Sequence, residues 1–122
     1  MTRKVKTLVI DDEPSVADAL RIILEDKGYD VTVAGNGREG LKLASKQQFD
    51  VTITDLRLPD MSGLTVLKAI CEQNPNCLMI MITAHGSSEV TAEAKRCGAI
   101  EVLSKPFIAS DILKLISAAL IV

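Results

Sequence analysis

The sequence predicts an α/β domain, a parallel β-sheet with helices on both faces. Three observations predict it. Short β-branched runs alternate with helical apolar patterns five times along the chain. One run, "CLMIMITA" at residues 77–84, is apolar almost throughout, as a strand covered on both faces must be. Polar groups recur at the carboxyl ends of the strand-like runs, which is where sites form in open parallel sheets.

The elements follow in order. Val5 to Ile10 reads as the first strand. Val16, Leu20, Ile23 and Leu24 then share one helical face, with Pro14 suited to the first turn and Gly28 to the close. Tyr29 to Ala34 is the second strand. Asn36 with Glu39 three residues later marks a helix start, and Leu41 and Ala44 supply its thin apolar side. "FDVTITD" is the third strand, and Ser62 opens a helix carrying Leu64, Leu67, Ile70 and Cys71. After the apolar fourth strand, Ser87 to Cys97 predicts a short, Ala-rich helix stopped by Gly98. "IEVLS" is the fifth strand, and Ile108 to Leu120 the last helix. On that helix Ile108, Ile112, Leu115 and Ala119 predict the inward stripe. Leu113, Ile116 and Leu120 predict a second stripe that the sheet leaves partly uncovered and that would mark a partner surface.

With 122 residues, the chain suits one domain, residues 1–122, with a real core. Its aromatic residues are only Tyr29, Phe49 and Phe107, so the core must be aliphatic. A net charge of −2 gives no broad positive field for nucleic acid, and Arg3, Lys4 and Lys6 read as a solubilising start. Cys71, Cys77 and Cys97 lack metal-ligand spacing and read as reduced thiols of a cytoplasmic protein. No signal-peptide pattern is present, nor any apolar run near the roughly 18 residues that span a bilayer.

The site candidates come from the strand ends. Asp11 and Asp12 end the first strand, Asp55 the third, Thr83 the fourth, and Ser104 and Lys105 the fifth, with Pro106 next. Taken singly, Asp11 or Asp12 could cap a helix, Asp55 could open the turn "DLRLPDMSG", and Lys105 could be a solvated loop residue. Their convergence on one sheet edge points to chemistry instead. Two unit charges about 4 Å apart repel by roughly 4 kcal/mol at an effective dielectric near 20. A hard divalent cation such as Mg²⁺, which takes carboxylates, water and a phosphate oxygen, relieves that repulsion. Lys105 adds a mobile point charge and Thr83 a hydroxyl donor. The set suits phosphoryl transfer to a carboxylate. Glu13 is expected on the first helical turn, facing water and favouring the helix dipole.

At these residues the chain resembles the receiver domain of two-component response regulators. "VIDDE", "VTITDLRLPDMSGL", "MITAHG" and "VLSKPF" carry the resemblance, in order and correctly spaced, over residues 5–120. It implies a flavodoxin-like, doubly wound five-stranded parallel sheet of order 2-1-3-4-5 with five helices. It implies Asp55 as phosphoacceptor, supplied by a sensor histidine kinase. Asp11, Asp12 and Asp55 would hold Mg²⁺ with the backbone carbonyl of Arg57, and Thr83 and Lys105 would contact the phosphoryl group. The Lys105–Pro106 bond would be cis. Arg57 and His85, two residues after Asp55 and Thr83, would line the rim and set how fast the phosphoryl group is lost.

Where many receivers have an aromatic residue three before the lysine, this chain has Val102. A rotating-ring switch is therefore absent, and movement of the loop after Thr83 and of the fourth helix is expected instead. "DLRLPDMSGL" and "TAHGSSEVTAEAKRCGAIEVLSKPF" most resemble receivers of NtrC-like transcriptional activators. That implies control of transcription, with DNA reached only through a further domain, and a homodimer formed through the fourth helix, fifth strand and last helix. The apolar ending "LISAALIV" fits either a piece of a longer regulator or a stand-alone receiver. The chain would not be a conventional enzyme. It would only phosphorylate itself from a donor and slowly hydrolyse the product. The enzyme alternative is an Mg²⁺-dependent phosphatase of the haloacid-dehalogenase kind, but that family has Asp-x-Asp where this chain has adjacent Asp11 and Asp12. A nucleotide or flavin binder would need a Gly-rich turn after the first strand, and the turn here is acidic.

Overall fold

The computed structural model describes residues 4–120, so Arg3 of the basic start and the final Ile121–Val122 lie outside the described residues. The elements alternate strictly: β1 (Lys6–Ile10), α1 (Pro14–Asp26), β2 (Asp30–Ala34), α2 (Gly37–Lys46), β3 (Val51–Asp55), α3 (Gly63–Gln73), β4 (Leu78–Thr83), α4 (Ser88–Arg96), β5 (Ala99–Ser104) and α5 (Ala109–Leu120). All strand pairs are parallel and the sheet order is β2-β1-β3-β4-β5. The order reverses between β1 and β3, so a crevice opens beyond their carboxyl ends. The Lys105–Pro106 bond is cis. No helix among the described residues is long and apolar enough to cross a membrane.

The period-two side-chain alternation of each strand builds two cores. Leu8 and Ile10 of β1 and Met79 and Met81 of β4 face α2, α3 and α4, where they meet Val66, Leu67, Ile70 and Ala94. Val9, Ile53, Ile80 and Ile82 face α1 and α5, against Leu20, Leu24, Ile112 and Ile116. The two helix layers explain why β4 reads as a nearly unbroken apolar run and why every residue of β3, its threonines included, is buried.

The expected face of α5 is corrected. Ile116, expected outside, is fully buried beside Ile112. Ile108, expected inside, is 67% exposed, and Ala119 is exposed. The helix begins at Ala109, so Ile108 belongs to the loop and does not share its periodicity. The Ile112–Ile116 pair at i,i+4 then seats on the sheet, with Leu113, Leu115 and Leu120 half-buried beside it. Leu113 leans toward α1, sharing a cavity with Ile22, Ile23 and Lys27.

The loop from Leu56 to Ser62 is fastened at both ends. Its exit, Gly63, lies directly under the backbone carbonyl of Asp55, where any Cβ would collide. The Gly63 amide donates to the Leu56 carbonyl at 2.7 Å. Midway, Asp60 reaches across to α2 and accepts from the amides of Gly37 and Arg38 at 2.8 and 2.9 Å. Met61 packs against Gly37, leaving no room for a side chain there. Asn36 caps the same helix locally through the Glu39 amide. The Arg38 and Gly37 amides hold the Asp60 carboxyl below its ordinary range.

Two outcomes follow. Ile116→Ala should destabilise the fold by about 2–5 kcal/mol in urea denaturation, whereas Ile108→Ala should change little. Asp60→Ala should lower the melting temperature by a few degrees at neutral pH. Because the Asp60 pKa is depressed in the folded state, its contribution is present above the ordinary value of 3.8 and is lost as pH falls through the folded value. The gap between wild type and variant should therefore close in acid; a gap constant with pH would rule out the carboxylate cap.

Candidate functional site

The carboxyl edge of the sheet collects the residues expected there. Asp11 follows β1 and is buried, its amide donating to the Ala34 carbonyl at 3.1 Å. Asp55 ends the central strand β3 and is also buried. Asp12 is exposed, yet its carboxylate joins the other two: one oxygen from each of Asp11, Asp12 and Asp55 lies within 4.8 Å of the others. Thr83 ends β4, buried, and its hydroxyl oxygen accepts the His85 amide at 3.0 Å. Lys105 follows β5, its amide donating to the Thr83 carbonyl at 2.8 Å. That backbone bond ties two of the site residues together.

Lys105 is the centre of charge. Its Nζ lies 3.1 Å from Asp55 Oδ2, 3.2 Å from Asp11 Oδ2 and 2.9 Å from Glu13 Oε1. Burial works against the ammonium, but its hydrogen bonds to Glu13 and Asp55 and the charge of Asp11 prevail, and its pKa is raised. Asp11 is held above the ordinary carboxylate range, first by burial and also by the charge of Asp55, against the pull of the Glu13 amide and of Lys105.

Glu13 corrects an expectation. It is not on the first helical turn but is the N-cap of α1, and its side chain makes no bond to that helix. Its carboxylate turns to Lys105, and its amide donates to Asp11 Oδ1 at 2.9 Å. An acid separated from the lysine by 92 positions carries no local signal of that pairing. Only its place beside Asp11 and Asp12 could have hinted at it.

The remaining candidates sit at the rim. Arg57 is exposed in the loop after Asp55 and bridges to Ser62. His85 is exposed after Thr83. Val102 is half-buried against the core under α2, α3 and α4. Gly63 and Asp60, which hold the loop behind Asp55, had no visible role in the sequence. A Gly eight residues after Asp55 was their one visible trace.

A divalent cation fits this cluster by its donor set. The Asp11 Oδ2 atom is buried without a hydrogen-bond partner, although Lys105 Nζ stands near it as a charge. Hard, anionic, clustered oxygens with one left unbonded are what Mg²⁺ takes.

Comparison with known proteins agrees with this geometry. Residues 7–117 match the family model described as "Response regulator receiver domain". The chain is 36% identical over 115 residues to the response regulator protein PilR of Pseudomonas aeruginosa, covering 94% of this chain and 26% of that protein. It is 37% identical over 99 residues to the transcriptional regulatory protein ZraR of Escherichia coli, covering 81% and 22%. The chain thus spans about a quarter of the length of these two relatives. Among solved structures, a CheY-like receiver domain protein from Methanospirillum hungatei superposes with a TM-score of 0.92 at 30% identity, covering 95% of this chain and 93% of that one. The beryllofluoride-activated NtrC4 receiver domain dimer gives 0.88 at 37%, covering 93% and 94%. With its edge acids, lysine and strand order in place, the chain belongs to the response regulator receiver domain family.

Proposed function

We propose that this chain is a phosphorylation-controlled switch that takes a phosphoryl group on Asp55 from a sensor histidine kinase in the cytoplasm and changes its interaction surface in response. The observation that carries the reading is the Asp55 carboxylate, ion-paired to Lys105 beside Asp11 and Asp12 at the sheet's reversal point. An Asp55 oxygen attacks phosphorus, the bond from phosphorus to the donor nitrogen breaks, and its electron pair leaves with the donor, which is protonated. The product is an acyl phosphate. Asp11, Asp12 and Asp55, with the Arg57 carbonyl, would hold Mg²⁺, which when bound neutralises charge on the phosphoryl oxygens. Lys105 exchanges its Asp55 contact for a phosphoryl oxygen. Thr83 keeps a proton to donate, because its oxygen only accepts from His85. Arg57 and His85 stand where they can order or block the water that hydrolyses the acyl phosphate. No further chemistry is assigned, and the phosphatase alternative is not favoured by the adjacent acids or the family match.

One new hydrogen bond to a charged group is worth about 1.5–3 kcal/mol. Moving a population from 1:99 to 99:1 takes about 5.5. Thr83 and Lys105 must therefore act together, drawing in the exposed segment from Ala84 to Ser88 and, through it, α4. Val102 has no ring to move, so the segment itself carries the change. The output surface is the α4–β5–α5 face, used by a second copy of the chain. The dimeric state of the activated NtrC4 receiver supports this, and the transcriptional relatives support control of transcription through a DNA-binding domain outside this chain.

With Mg²⁺ and phosphoramidate, intact-mass measurement should show one phosphoryl adduct on wild type and none on Asp55→Asn. Asp12→Ala should remain folded and gain almost none. Adduct loss should be altered several-fold in Arg57→Ala or His85→Ala. A full adduct on Asp55→Asn would remove Asp55 as acceptor. Self-association should rise when beryllofluoride is added to wild type, rise only partly in Thr83→Ala, and fail in Ile100→Glu, which alters an exposed β5 residue. Equal association of Ile100→Glu and wild type would exclude this face.

A further inference from the structure

The Lys105 ammonium has three protons and three carboxylates within reach, and the three are not equivalent. The hydrogen bonds go to Glu13 at 2.9 Å and Asp55 at 3.1 Å. Asp11 Oδ2, at 3.2 Å, stays without a hydrogen bond. Burial divides the acids in the same way. The side chains of Asp11 and Asp55 are 0% and 9% exposed, that of Glu13 is 55% exposed, and Lys105, at 12%, lies between them. Glu13 is thus the rim partner, and Asp11 and Asp55 are the floor. Its backbone points the same way: the amide orients the Asp11 carboxylate, and the side chain leaves its own helix uncapped to reach the lysine.

Resting on the reading of Asp11, Asp12 and Asp55 as cation ligands, we infer that Glu13 is a positioning residue that holds the Lys105 ammonium at the rim so that the floor carboxylates are left for the cation. The two cations compete for Asp11 and Asp55. Without Glu13, the lysine's nearby partners are the same two carboxylates that would hold Mg²⁺, and a largely buried ammonium would have to be left poorly paired when the ion enters. With Glu13, the lysine keeps a hydrogen-bonded partner while it yields Asp55. The same tether keeps the ammonium beside Asp55 until a phosphoryl oxygen is available.

A plain electrostatic role would also weaken cation binding when Glu13 is neutralised, so the test separates the two. Mg²⁺ affinity is measured by amide-shift titration of the unphosphorylated chain for wild type, Glu13→Gln, Lys105→Met and the double variant, with Lys105→Ala as a second background. Glu13→Gln should bind Mg²⁺ roughly three- to fivefold more weakly than wild type, the upper range for a half-exposed ion pair. In either Lys105 background the same substitution should have no effect. Metal-free melting of Glu13→Gln should stay near wild type, because the Glu13 side chain makes no capping bond to α1 and its backbone is unchanged. A loss of equal size with and without Lys105, or no loss at all, overturns the inference and leaves the cation site standing. A wild type that binds no Mg²⁺ overturns the cation reading and the inference with it.

Discussion

The edge of this sheet depends on one ammonium placed among acids. Asp11 and Asp55 are both buried at the ends of neighbouring strands, where their charges repel, and burial holds the Asp11 carboxyl above its ordinary range. Lys105 makes that arrangement tolerable. It arrives from β5, and its own position is held by the backbone bond to Thr83 on β4. Four strands therefore converge on one charge balance: β1 and β3 bring the floor, β4 the hydroxyl, and β5 the counter-ion. The parallel topology makes this possible, because it sends every carboxyl end to the same edge.

The surroundings of that edge differ in rigidity. On the Asp55 side the chain is pinned: Gly63 sits against the Asp55 carbonyl, Asp60 and Met61 dock on the start of α2, and β3 is buried throughout. On the far side the chain is loosely held. Residues 84–89 are exposed, and α4 offers only Ala94 as a fully buried side chain. Segments with few buried apolar contacts open at low free energy. A fixed Asp55 beside a weakly packed segment is the asymmetry that the proposed switch would use, with the weakly packed part next to Thr83.

The sequence alone determined the framework. Strand runs, helix faces, Asn36 and Ser62 as caps, and Asp11, Asp12, Asp55, Thr83 and Lys105 at strand ends were all legible, because each is written in local periodicity or in a residue at an element's boundary. Tertiary structure decided the rest. Glu13 reads as an ordinary first-turn acid until β5 brings Lys105 to it. Asp60 reads as a turn residue until the sheet order sets it over α2. The apolar positions of α5 allow two inward stripes, and only the surface presented by α1 and the sheet selects Ile112 and Ile116. Gly63 gives no sign in the sequence of its real constraint, the Asp55 carbonyl lying where a side chain would start. The physical reason is common to all four. Local sequence encodes which way a chain bends and which residues avoid water, whereas pairings between distant residues depend on distances that only the closed fold sets.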